Sequence, residues 1–283
     1  MRSRTAAALG CLAVAFVVLI AVGIGIFWWL RDRGLTEPVP GQQRCVAIAN
    51  NKSTVVDLDQ AHFAAIIAGV SVRRGLPPRA ASIAIATAYQ ETGIRNLDYG
   101  DRDSVGLFQQ RPSQGWGTKQ QLLDPDYAAE KFYDALVKIK DWETDDINDV
   151  AQKVQRSGHP EAYRDHEADA RVLASTLTGQ SPAGFSCLDR SGTSGNAKAL
   201  RNSLQRTFGN IDDSVEDSVI TIRASSDRRA WAYAHYAVAN AMFYGVTTVT
   251  IGDRSWQTQD FNLPDWQEAT PSLRDNRVQI TVR

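Results

Sequence analysis

Histidine and cysteine are scarce in this chain, at four and three among 283 residues, and that scarcity removes whole classes of chemistry. His62, His159, His166 and His235 fall in no spacing that would build a zinc site, and there is no Gly-x-Ser-x-Gly elbow and no phosphate-binding glycine loop. Neither a metal nor a cofactor is expected. An excess of charge of one sign is also missing. Lys+Arg at 31 against Asp+Glu at 32 leaves a net charge of −1, so a nucleic-acid backbone is not the expected partner. Gly at 20, Pro at 10 and charged residues at 22% lie near globular averages, which excludes a collagen-like, coiled-coil or wholly disordered chain. The length exceeds the roughly 100–200 residues of one typical domain. Two domains plus an appendage are therefore expected.

What is present begins with one long apolar run. Ala6 to Leu30 carries no charged residue, and at about 1.5 Å per residue it is long enough to cross a hydrocarbon core of about 30 Å. Arg2 and Arg4 precede it, Trp28 and Trp29 stand where an interfacial aromatic belt would, and Arg31 and Arg33 follow. Residues 1–33 are thus expected to be a cytoplasmic tip and an uncleaved single-pass anchor in the cell membrane, with the bulk of the chain outside the cytoplasm. A cleaved signal peptide is the alternative, but its apolar region would be about 7–15 residues ending at a small-x-small site. A lipid anchor at Cys11 is the weaker one, since the apolar run follows Cys11 instead of preceding it.

Outside the cytoplasm disulfides persist, and Cys45 and Cys187 are the cysteines beyond the apolar run. They are expected to pair and clasp the two ends of the first domain; two unpaired buried thiols are the alternative. The stretch 34–44, with Pro38, Pro40 and Gly41, reads as a linker that reaches no more than about 40 Å from a membrane. A second linker is expected over 179–198, where Ser, Gly, Thr and Pro replace periodic patterning around Cys187.

Between the linkers the pattern is helical almost throughout. Asp57 to Gly75 places Leu58, Phe63, Ile66, Ile67 and Val70 largely on one stripe, and Arg79 to Thr92 is so rich in Ala and Ile that it must be buried on most sides. Asp124-Pro125 starts a helix ending near Trp142, Asp146 caps another to about Ser157, and Pro160 opens a last one to Thr178. One irregular polar stretch, Gly93 to Gly117, interrupts this domain.

The chemistry gathers there. Glu91 ends the buried helix, and a carboxyl held against apolar packing has its charged form disfavoured, which suits a general acid; a solvated last-turn glutamate is the alternative. Gln109, Gln110 and Gln114 offer neutral donors and acceptors for hydroxyl and N-acetyl groups, and Trp116 offers a ring face for a pyranose. Gln109 could equally cap the domain's own backbone. Asp98, Asp101 and Asp103 are the nearby acids available as the second carboxylate that glycoside hydrolysis generally requires, or else turn formers paired with Arg95, Arg102 or Arg111.

Glu91-Thr92, followed at an interval by Gly106-Leu107-Phe108-Gln109, resembles the soluble lytic transglycosylase and goose-type lysozyme superfamily, whose signature is E-S and then G-L-M-Q. Thr92 replaces the usual Ser and Phe108 the usual Met. Val154 to Gly158 stands where the family has a Tyr-Asn-Ala-Gly turn, with Gln155 in place of Asn. The string from Gly100 to Gly117 looks like a membrane-anchored subgroup from Gram-positive-type envelopes. The resemblance covers about 45–178 and implies a mainly α lysozyme-like domain with Glu91 as catalytic acid, Gln155 as a substrate-binding amide in the place of the residue that contacts that glutamate, and peptidoglycan strands as partner. A lone glutamate matches the lytic transglycosylase route, which leaves 1,6-anhydromuramyl ends; a hydrolytic lysozyme and a non-catalytic peptidoglycan-binding scaffold remain open.

From 199 to 283 a small α/β domain is expected, with a helix near Ala197 to Phe208, a strand Val219 to Ile222, a long helix Arg228 to Tyr244, and strands Val246 to Ile251 and Arg277 to Val282. Trp231, Tyr233, Tyr236, Phe243 and Tyr244 read as core, with an aromatic glycan platform as the alternative. This part faintly resembles D-alanyl-D-alanine carboxypeptidase-type zinc peptidases that have lost their metal, since Val278-Gln279-Ile280 stands where they carry His-x-His. Its protein partners are not legible. The fold class expected for the whole is α+β.

Overall fold

A computed structural model describes residues 41–155 and 161–283. The expected anchor over 6–30 and most of the linker over 34–44 lie outside the described residues, as do 156–158 of the expected Gln155 turn. Among the described residues no helix is long and apolar enough to cross a membrane.

Strands β1 (Arg44–Ala49) and β2 (Lys52–Val56) form a hairpin. Its two-residue turn, Asn50-Asn51, has both φ angles positive at 51° and 59°, the geometry that matches the twist of a hairpin and that Asn tolerates. This hairpin corrects the expectation of helices throughout: Val46, Ile48 and the Ser53-Thr54-Val55-Val56 run are β-formers on a half-buried surface. Helix α1 (Leu58–Arg73) starts with a reciprocal capping box between Asp57 and Gln60. Helix α2 (Pro78–Thr92) has Pro in its first turn, is buried without a break from Ala80 to Ala88, and stops at Gly93 with φ of 64°. The short α3 (Lys119–Leu122) is followed by α4 (Pro125–Leu136), capped by Asp124, and by α5 (Ile147–Gln155). The last helix expected from Pro160 is in fact a 3₁₀ turn, Ala162–His166, leading into α6 (Glu167–Leu177).

The stretch expected to be a linker over 179–198 contains a fully buried strand, β3 (Phe185–Leu188), which pairs antiparallel with β1 to complete a sheet of order β2-β1-β3. Cys45 and Cys187 lie directly opposite each other in this pairing and are joined by a disulfide.

Beyond it come α7 (Ala197–Phe208), β4 (Asp212–Glu216), β5 (Val219–Arg223), α8 (Asp227–Ala239), α9 (Ala241–Tyr244), β6 (Val246–Ile251), β7 (Arg254–Gln257), β8 (Gln267–Glu268) and β9 (Arg277–Val282). The six strands form one sheet of order β4-β5-β9-β6-β7-β8 with antiparallel pairings, so this half is α+β and lacks the parallel βαβ units of a strict α/β domain. The single long helix expected from Arg228 to Tyr244 breaks at Asn240, whose amide donates to Tyr236 O and whose Oδ1 meets His62.

The two expected domains share one core. Residues 43–283 make one compact unit, in which α8 is buried on nearly every side and packs on α1, α6 and the six-stranded sheet. Trp231, Tyr233 and Tyr236 of α8 are in this core, whereas Phe243 is exposed. Close approach of α7 to α1 depends on Gly69: a Cβ there would stand 2.4 Å from the Thr207 methyl and 2.9 Å from the Phe208 ring.

Candidate functional site

The continuous apolar burial of α2 fixes the position of its last turn, and Glu91 leaves that turn half-buried, two residues before the Gly93 stop. The 3₁₀ turn 162–166 lies against it. The hydroxyl of Tyr163, a fully buried side chain, donates to Glu91 Oε1 at 2.8 Å. Gln155, the last residue of α5, uses its Nε2 twice: toward Glu91 Oε1 at 3.2 Å and toward Phe108 O at 2.8 Å. Next door on α2, Gln90 Oε1 meets His166 Nε2 at 3.1 Å, and the Tyr89 ring stacks on His166 with centroids 4.5 Å apart. Three successive residues of α2 therefore grip one 3₁₀ turn. His166 is partly buried by this stack, and burial lowers its pKa.

Both described donors reach Oε1 of Glu91. Two donors converging on one carboxyl oxygen are an arrangement suited to holding a carboxylate.

Thr92 joins the helix end to the polar loop. Its hydroxyl lies 3.0 Å from Leu107 O and 2.9 Å from Ala88 O, and it accepts from Arg95 N at 3.1 Å. Leu107 and Phe108 are fully buried, and Phe108 stacks on Phe132 at 4.7 Å, so the Gly106-Leu107-Phe108 turn is rooted in the core. Gly106 has φ of 79°, and a Cβ there would lie 2.3 Å from Leu122 O, so only Gly fits.

The expected sugar-facing residues divide. Gln109, with φ of 48°, turns its amide onto the loop itself, donating to Tyr99 O at 3.2 Å and Gly106 O at 3.4 Å. Gln110 is a correction: it is 2% exposed, forms a bridge with Val105, and donates to Ala128 O at 3.3 Å, so it holds the loop from inside and presents no amide to a substrate. Gln114 is exposed in a 3₁₀ turn, Pro112–Gln114, and Trp116 packs partly against the core while its carbonyl accepts from Tyr127.

Of the three nearby acids, Asp103 is fully engaged. Arg111 Nε donates to it at 2.7 Å, and Ser113 donates both its backbone N–H at 2.8 Å and its hydroxyl at 3.0 Å. The Arg111 bond first, then Ser113, holds its pKa well below the usual carboxylate range. Asp101 lies 3.8 Å from Arg102, and Asp98 is exposed. None of the three hydrogen-bonds to Glu91 among the described residues.

Two residues went unread in the sequence. Tyr163 carried no signal, because nothing local in Ala162-Tyr163-Arg164 distinguishes a partner for Glu91 from a core tyrosine. Tyr99, 69% exposed beside the backbone carbonyl that Gln109 holds, is a large aromatic surface at the lip of the loop. It could have been found as an aromatic inside a polar, glycine-bearing stretch.

No protein-family model matches the chain, and no curated protein is similar to it.

Proposed function

We propose that this chain is a membrane-anchored, peptidoglycan-cleaving enzyme of the lytic transglycosylase type, with a lysozyme-like domain over 45–178 held to the cell membrane through residues 6–30. The observation that supports it best is that Gln155 joins Glu91 Oε1 to Phe108 O, so the acid, the Gly106-Leu107-Phe108-Gln109 turn and Tyr163 form one cluster.

In this reading Glu91 gives its proton to the oxygen between MurNAc and GlcNAc as the glycosidic bond breaks, which releases the GlcNAc hydroxyl as leaving group. The substrate's own acetamido group assists at the anomeric carbon. The muramyl 6-hydroxyl then attacks that carbon and closes a 1,6-anhydro ring, returning its proton to the Glu91 carboxylate. Tyr163 and Gln155 stabilise the carboxylate between these two proton transfers. This route needs no second carboxylate to activate water, and it accords with Asp103 being bound by Arg111 and Ser113. Tyr99 and Trp116 supply apolar ring faces for the strand.

Mass spectrometry of muropeptides released from purified peptidoglycan tests the reading. The expected products carry 1,6-anhydromuramyl ends. Reducing muramyl ends would point to hydrolysis by a lysozyme, and retention of strands without cleavage would point to a binding scaffold. The anchor has its own test: with a linker reaching about 40 Å, function in cells should fall when the first 33 residues are replaced by a cleavable signal.

A further inference from the structure

Away from the Glu91 cluster the structure holds a cavity of about 470 Å³, lined by His62, Gln120, Asp126, Ser203, Arg206 and Tyr244 among others. It lies among α1, α4, α7 and α9, and none of Glu91, Gln155, Phe108 or Tyr163 lines it.

Its walls carry charges of opposite sign. Asp126 accepts one hydrogen bond, from the Thr207 hydroxyl to Oδ1 at 2.8 Å, and among the described residues its carboxylate has no ion pair. Burial raises its pKa, partly offset by Thr207 and by the charges of Arg206 and Arg73, while Asp124 adds to it. Arg206 and Arg73 act on this carboxylate through their charges, yet neither forms an ion pair with it among the described residues. Arg206 is the complement: it is an exposed side chain at the mouth of the cavity, its backbone carbonyl takes the Arg73 guanidinium, and its own guanidinium makes no hydrogen bond or ion pair among the described residues. Asp124 also lines the cavity; its Oδ1 caps α4 by accepting from the backbone of Asp126 and Tyr127, and it forms no ion pair with Arg206 among the described residues.

His62 adds a defined acceptor. Asn240 uses its amide N–H on Tyr236 O at 2.8 Å, so its Oδ1 faces His62 Nδ1 at 2.6 Å and that nitrogen must carry the proton. Nε2 of the neutral ring is then a lone-pair acceptor, and burial lowers the pKa of His62, keeping the ring neutral near pH 7.

We propose that this cavity binds a small zwitterion, its ammonium taken by the Asp126 carboxylate and His62 Nε2 and its carboxylate by the Arg206 guanidinium. A simple anion would meet Asp126, and a simple cation would meet Arg206; only a molecule with both charges satisfies both walls. A volume at the lower part of the ~300–1,000 Å³ range of ligand pockets suits an amino acid or a dipeptide. The site is independent of the Glu91 reading, and either can fail without the other.

The test is calorimetric titration of the full-length protein with alanine, alanyl-alanine, propionate and ethylamine. The expected result is binding of at least one zwitterion, at least about tenfold tighter than propionate and ethylamine, which each lack one charge. Asp126→Asn and Arg206→Gln should each weaken that binding by about 10–100-fold, the scale of a hydrogen bond to a charged group. Absence of binding by both zwitterions, equal binding of propionate or ethylamine, or wild-type affinity in folded Asp126→Asn and Arg206→Gln proteins would overturn the proposal. Should either variant fail to fold, the comparison of the four compounds on the wild-type chain decides alone.

Discussion

Tyr163 and Glu91 stand 72 residues apart in the chain and 2.8 Å apart in space, the buried hydroxyl donating to Oε1 of the carboxyl. In the proposed mechanism a donor in this place acts on the charge that forms when Glu91 gives up its proton. Tyr163→Phe removes the donor and leaves the ring packing intact. Turnover should fall by about 10–100-fold, the equivalent of a charged hydrogen bond at about 1.5–3 kcal/mol, with KM little changed. Steady-state kinetics on soluble glycan fragments checks this. A raised KM with unchanged kcat would place Tyr163 in substrate binding instead.

How much of this was legible follows from how local each determinant is. Helix α7 and strands β6 and β9 have the ends their patterns imply, Ala197–Phe208, Val246–Ile251 and Arg277–Val282, because caps and alternation are written in neighbouring residues. Strand β3 was hidden: four residues, Phe185–Leu188, among Ser, Gly and Pro become a strand only by pairing with β1, 142 residues away at the disulfide. The break of the long helix at Asn240 was hidden for the same reason, since His62 on α1 meets its side chain. At the site, Glu91 and the Gly106-Leu107-Phe108-Gln109 turn were readable as a spacing. The inward role of Gln110 was not, because alternation of inside and outside in an irregular loop obeys no period.

His235 should make the fold sensitive to mild acid. It is fully buried, Nδ1 lies 2.8 Å from Thr176 O, and Trp231 and Trp266 flank it. Burial pushes its pKa down to about 4. Between pH 4 and the ordinary histidine value of 6.5 the unfolded chain binds the extra proton and the folded one does not. Stability is therefore fully present above pH 6.5 and falls as the pH drops toward 4, by up to about 1.4 kcal/mol per pH unit. His62 and His166 are lowered too and act in the same direction, while Asp126, raised by burial, acts against it. Urea unfolding at pH 7, 6 and 5 measures the slope. A His235 ring that titrates near pH 6.5 by NMR would contradict the assignment.

Reduction should loosen the whole unit as well as the small sheet. The Cys45–Cys187 bridge closes a loop of 142 residues, worth about 5 kcal/mol in the chain-entropy model. Both sulfurs are held in the disulfide, so they should resist alkylation in denatured, unreduced protein and react after reduction. A large loss of stability with reductant is expected in thermal unfolding, and an unchanged Tm would show that the strands β1 and β3 hold without it.

The central claim is that Glu91 is the acid. Glu91→Gln keeps the size of the side chain and an oxygen for Tyr163 and Gln155, but it has no proton to give. Release of muropeptides from purified peptidoglycan by this variant should fall by about 10²–10⁴-fold relative to the parent, with unfolding temperature and strand binding retained. Release at the parental rate would contradict the account.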